Sequence, residues 1–138
     1  MKLPSWLARW RQPRSLGERG ERAAAKSLKR LGYRIVGQRD RWRLGELDLV
    51  AVDGRTVVFV EVKTRQSHEA GHPAEAVDAA KQQKLTHLAL SFLKRHGLLE
   101  YPARFDIVAV TWPAAQRRPT IEHFKNAFEP VGKGQMFS

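Results

Sequence analysis

A chain of 138 residues suits one domain that buries about two thirds of its unfolded surface, and the lack of cysteine excludes disulfides, thiolate zinc sites and cysteine nucleophiles. No apolar run approaches the roughly 18 residues of a membrane span and no signal-peptide core follows the basic start, so a soluble, cytoplasmic protein with no membrane partner is expected. The net charge of +11 is one-sided, because residues 1–43 hold 13 Lys and Arg against 3 acids whereas residues 44–138 hold 12 against 11.

That imbalance is the footprint of a protein that binds a nucleic-acid backbone, since each neutralised phosphate releases counterions. A merely soluble basic surface and an arm drawn to anionic lipid are the competing readings. Residues 1–16 form the basic arm, interrupted by Pro4 and Pro13. Trp6 and Trp10 fall four apart in it; packing on the parent domain is favoured over stacking on bases or dipping into a membrane interface.

The domain proper spans residues 17–128, with the order α-β-β-β-α-β and a last edge strand. A helix is expected over 17–31, with Ser15 as its cap and Gly32 as its stop. Its apolar stripe is Ala24, Ala25, Leu28 and Leu31, with Glu21 one turn earlier on the same side. Glu21 either complements the helix dipole or reaches into a site. Residues 33–36 read as an edge strand and 39–43 as a basic loop carrying Trp42.

A hairpin follows, with strands over 44–52 and 55–63 and the loop Asp53-Gly54, whose residues tolerate positive φ. In that register Val52 faces Arg55, Asp48 faces Phe59 and Glu46 faces Glu61, leaving Asp48 on the diagonal from Glu61. Lys63 shares their face, while Leu47, Leu49 and Ala51 with Val58, Val60 and Val62 cover the other. Two apolar faces make the hairpin central. Acids converging there would repel one another, but they are the oxygen donors a hard divalent cation requires. Lys63 could neutralise charge at a phosphate or hold an attacking water. The alternative is a set of surface salt bridges, Lys63 with Glu61 or Arg43 with Glu46.

Gly71-His72-Pro73 opens the second helix, Pro73 suiting its first turn, and Val77, Ala80, Leu85, Leu88, Ala89 and Phe92 give its buried face. Lys81 and Lys84 either reach phosphate or are solvated. The helix ends near His96-Gly97. Residues 104–110 form a strand inside the sheet, where Asp106 pairs with Arg104 in preference to joining the acidic cluster; residues 121–128 are an edge strand and 129–138 a flexible tail.

Gly17-Glu18-Arg19-Gly20-Glu21, Leu31-Gly32-Tyr33, Gly45-Glu46-Leu47-Asp48-Leu49-Val50-Ala51, Phe59-Val60-Glu61-Val62-Lys63-Thr64-Arg65 and Arg104-Phe105-Asp106 resemble the YraN family of bacterial proteins, over roughly residues 15–112. More distantly, the ordered set Glu21, Asp48, Glu61, Lys63 resembles the PD-(D/E)XK nucleases of the archaeal Holliday-junction resolvase type. Here Leu47 precedes Asp48 where the superfamily name has proline, and Asp40 stands where the family usually shows Asn. The resemblance implies an α/β, restriction-endonuclease-like fold, a central mixed sheet flanked by helices. It further implies Mg²⁺ or Mn²⁺ bound by Asp48, Glu61 and the Val62 carbonyl, with Lys63 orienting the water and Glu21 assisting. The expected activity is endonucleolytic cleavage of branched or structured DNA. The cations expected to meet that DNA are Arg19, Arg22, Arg39, Arg41, Arg43, Arg65, Lys81 and Lys84. Cutting two strands would call for a homodimer. A non-catalytic nucleic-acid-binding accessory on the same scaffold is the alternative.

Overall fold

The computed structural model describes residues 15–42, 45–67, 69, 71, 72, 75 and 77–131, with side chains at all of these except 39–42, 45 and 46. The arm with Trp6 and Trp10, Arg43, His68, Pro73 and the tail beyond 131 lie outside the described residues, as do the side chains of Arg39, Arg41 and Glu46.

Helix α1 (Leu16–Arg30) begins where Ser15 is extended and its hydroxyl accepts from the Glu18 N–H at 3.2 Å, and it stops before Gly32, whose φ of +93° only glycine adopts freely. Strands β1 (Arg34–Trp42), β2 (Gly45–Asp53) and β3 (Thr56–Arg65) follow as an antiparallel meander. Helix α2 (Ala79–Arg95) crosses over to β4 (Ala103–Thr111), which lies parallel to β3, and β5 (Thr120–Phe128) closes the far edge antiparallel to β4. The sheet order is β1-β2-β3-β4-β5. Among the described residues each face carries one helix and one apolar cluster. Ala24, Ala25 and Leu28 of α1 pack on Leu49, Val58 and Val60; Leu85, Leu88 and Phe92 of α2 pack on Val50, Phe59 and Phe105. This mixed five-stranded sheet between helices is the restriction-endonuclease-like arrangement. No helix among the described residues is long and apolar enough to cross a membrane.

Several expectations are corrected. The hairpin loop is Gly54-Arg55, since Asp53 pairs with Thr56 and Val52 with Val57, so every partner shifts by two positions. An even shift keeps side chains on their faces. Leu47 is the exception: it joins Val50 and Phe59 on the α2 side, because β2 departs from strict alternation at Asp48. Residues 39–42 continue β1 and do not form a loop. Leu31 is 59 % exposed, lying past the helix end. The second helix starts at Ala79, where the Asp78 carboxylate accepts from the Lys81 N–H at 2.8 Å, and neither His72 nor Ala80 belongs to a buried helical face.

Asp106 is fully buried on β4 and satisfied by three donors: Arg104 Nε at 3.0 Å, His123 Nε2 at 2.7 Å and the Asn126 N–H at 2.9 Å. Burial alone would raise its carboxyl, but these donors outweigh it and hold it below the usual value. Arg104 also reaches the Tyr33 hydroxyl at 2.8 Å and Asp53 at 3.2 Å. Asp106 is therefore a structural clamp between β4, β5 and the hairpin, and it pairs with Arg104 as expected.

Candidate metal and nucleic-acid site

The β2–β3 register runs from Asp53↔Thr56 to Leu49↔Val60, and at the next position the Asp48 side chain takes over. Its Oδ2 accepts from the Val62 N–H at 2.9 Å. The corrected register places Asp48 beside Glu61, not on a diagonal from it, and Glu46 pairs with Arg41 on β1 rather than with Glu61. In an extended strand a residue's N–H and C=O face the same neighbour. The Val62 carbonyl therefore also faces the β2 side, where Asp48 stands.

Glu61 is only 8 % exposed. Its Oε1 lies 2.6 Å from Lys81 Nζ and 3.4 Å from Lys63 Nζ, so α2 contributes an ammonium from across the crossover. Among the described residues no ammonium lies in salt-bridge contact with Asp48, although the charge of Lys81 acts on it from beside Glu61. Its burial, the Glu61 charge and the Glu21 charge push its carboxyl up to about 7, against the pull of the Val62 N–H. Burial and the neighbouring Lys81 hold the Lys63 ammonium below its usual value. Lys81, which burial alone would lower, is held above its usual value by hydrogen bonds to Glu61 and Lys63.

Glu21 approaches from the other side because α1, already packed on β3, comes closest to it at Gly20. A Cβ on Gly20 would fall 1.8 Å from Thr64 Oγ1 and 2.8 Å from Thr64 Cβ, so only glycine permits this approach. Glu21, the next residue, is close enough for its charge to act on Asp48. Gly20 was visible in the Gly-Glu-Arg-Gly-Glu motif, but nothing in the pattern told a packing glycine from a turn.

Among the described residues no three His, Asp or Glu side chains form a ready-made cation cage. The donor set is two adjacent carboxylates and the Val62 main chain. That fits Mg²⁺ or Mn²⁺, which bind through one or two carboxylates and keep several waters. The high proton affinity of Asp48 has the same physical origin as affinity for a cation.

The expected phosphate-binding cations are dispersed. Lys81 is engaged with Glu61, and Lys84 is exposed one turn further along α2. Arg65 is committed internally, its Nε to Thr111 Oγ1 at 3.4 Å and its Nη1 to the Gly71 carbonyl. The guanidinium of Arg19 sits 4.1 Å above the Trp112 ring, and Arg22 projects from the exposed side of α1. Arg117 and Arg118, which join Arg19 and Arg22 in a groove, carry no signal in the sequence because the connection between β4 and β5 has no motif.

The family model described as "Uncharacterised protein family UPF0102" matches residues 20–110. Similar relatives are a UPF0102 protein of Rhodopirellula baltica, 44 % identical over 139 residues, covering 95 % of this chain and 83 % of the relative. Another, from Geobacter sulfurreducens, is 50 % identical over 114 residues (83 % and 88 %), and one from Symbiobacterium thermophilum is 49 % identical over 115 residues (83 % and 97 %). The match takes in α1 from Gly20 through nearly all of β4, and with it every residue of the acidic site, so the chain belongs to the UPF0102, or YraN, family.

Proposed function

We propose that this protein is a metal-dependent endonuclease that hydrolyses phosphodiester bonds in branched or otherwise structured DNA, with Mg²⁺ or Mn²⁺ held by Asp48, Glu61 and the Val62 carbonyl. The observation that supports it most is the meeting of Asp48 and Glu61 where the β2–β3 ladder ends, with Lys63 Nζ 3.4 Å from Glu61. Hard oxygen donors beside an ammonium suit a phosphate in reaction.

A bound divalent cation would polarise the phosphoryl oxygen and make a water ionisable near neutral pH. The chain's own groups do the rest. The Val62 N–H fixes the orientation of Asp48. Lys63, with its lowered proton affinity, hydrogen-bonds the attacking water and offsets charge gathering on the phosphorus oxygens. Glu21 borders the site from α1 and orients water on that side. With a divalent cation on Glu61, Lys81 would be free to turn to a phosphate oxygen. A cytoplasmic location and a homodimer that places two sites on two strands belong to the same proposal.

Incubation with fork, flap and four-way-junction DNA in Mn²⁺ tests the reading. Cleavage that disappears in Asp48→Asn and Lys63→Ala is expected. Cleavage surviving both substitutions would point to a contaminant. DNA binding that is salt-sensitive, indifferent to Mn²⁺ and never followed by cutting would favour the non-catalytic accessory instead.

A further inference from the structure

Away from the acidic site, α1 and the connection between β4 and β5 enclose a groove of about 990 Å³. Of the 14 described residues that line it seven are Lys or Arg and none is acidic. Arg19, Arg22, Lys26 and Arg30 form one wall; at 100° per residue they lie within about 80° of one another on α1, a stripe about 16 Å long. Arg117 and Arg118 face them across the groove. Among the described residues none of these six makes a salt bridge with a carboxylate.

We infer that this groove binds the sugar-phosphate backbone of one strand of a DNA duplex, as a second contact apart from the acidic site. A solvated basic surface normally intersperses acids, as residues 44–138 do with 12 cations against 11 acids. A concave wall of like charge, with a facing arginine pair, is instead matched to a linear polyanion. On one strand phosphates recur about every 3.4 Å of duplex axis and lie further apart along the winding backbone, so a stripe of about 16 Å meets no more than about five of them. Base stacking is not the mode of recognition: Arg19 already covers Trp112, whose Nε1–H is tied to the Gln116 carbonyl at 3.0 Å. An anionic membrane would meet a flat or convex patch more readily than a groove.

The test is fluorescence anisotropy of a labelled DNA duplex titrated with the full chain in EDTA across a salt series. Wild type should bind with strongly salt-dependent affinity. The exposed double variant Arg117→Ala/Arg118→Ala should bind about tenfold more weakly, with a log–log salt slope shallower by about two. Arg22→Ala/Lys26→Ala on the opposite wall should do the same, and thermal melts of both should match wild type. Unchanged affinity and slope in both double variants would overturn the inference. So would wild type that ignores duplex DNA but binds phosphatidylserine vesicles through Arg117 and Arg118. Wild type assayed with Mn²⁺ separates this claim from the proposed reaction: groove-dependent binding by wild type with no cleavage in Mn²⁺ refutes the reaction and leaves the groove standing.

Discussion

Replacing Asp48 with Asn should stabilise the metal-free protein while removing its response to metal. The Asp48 carboxyl rises from 3.8 to about 7, chiefly through burial and next through the charge of Glu61. Between those two values the folded chain holds a proton that the unfolded chain has released. Stability therefore falls as pH rises from about 4 to about 7, and stays reduced above that. About three pH units at roughly 1.4 kcal/mol each set a ceiling near 4 kcal/mol. Asp48 is only half-buried, so solvent screening brings the expected effect to about 2 kcal/mol. Asn bears no charge and its side-chain oxygen can still accept from the Val62 N–H, which limits what the substitution loses. Thermal melts in EDTA should show Asp48→Asn above wild type by roughly 5 to 10 °C at pH 8, with the gap shrinking toward pH 5. Adding Mn²⁺ at about a hundred times its Kd should then raise wild type by about 2.7 kcal/mol and leave the variant nearly unmoved. A variant less stable than wild type at pH 8, or a gap that does not change with pH, would refute the electrostatic reasoning. Equal Mn²⁺ shifts in both proteins would refute the placement of the metal.

Gly20→Ala should destabilise by about 1 to 3 kcal/mol in urea unfolding and weaken Mn²⁺ binding; helix propensity alone predicts a gain near 1 kcal/mol, so the sign reports the Thr64 collision. Lys81→Met removes one of two ammonium groups from Glu61 and should tighten Mn²⁺ binding about two- to fivefold by calorimetry, the equivalent of a weak ion pair, while slowing cleavage. Asp106→Ala leaves Arg104 and His123 around a buried gap and should cost about 3 to 5 kcal/mol near neutral pH. Because its carboxyl is held low, the stability that Asp106 supplies is present above pH 4 and lost on acidification through its folded value, so the gap between wild type and variant should close in acid melts.

Local patterns made most of this fold legible. Ser15 and Gly32 bracket α1 because caps and stops act over a few residues, and the apolar runs of β2, β3 and β4 mark strands buried on both faces. The hairpin register was not legible. Asp53-Gly54 satisfies the chemistry of the loop, yet Gly54-Arg55 occupies it, with Gly54 at φ +63°. Turn residues narrow the loop to a few choices; the sheet on both sides selects among them, and here the error was even, so Asp48, Glu61 and Lys63 kept their relation to the core. The start of α2 is not legible for a similar reason. Pro73 and Asp78 both suit a helix beginning, and the hydrogen bond to Lys81 N–H decides for Asp78. The acidic site could be read because charge in an apolar strand stands out. Lys81 on Glu61, Thr64 beneath Gly20 and the arginine pair Arg117-Arg118 could not, since each depends on a contact between distant segments.

Helix α1 joins the two halves of the functional proposal. Its inner side carries Gly20 and Glu21 against β3 and Asp48, and its outer side carries the stripe from Arg19 to Arg30. The Gly20–Thr64 contact fixes the rotation of the helix, and so the direction of both sides at once. A side chain at position 20 would turn or lift the helix, moving an acid away from the proposed metal donors and tilting the basic wall in the same motion. Gly20→Ala should therefore weaken DNA binding in EDTA as well as Mn²⁺ binding, whereas Glu21→Gln should disturb only the latter. If Gly20→Ala weakened metal binding yet left the DNA salt slope intact, the acidic site and the groove would not share this hinge, and the helix would have to be fixed from elsewhere along its length.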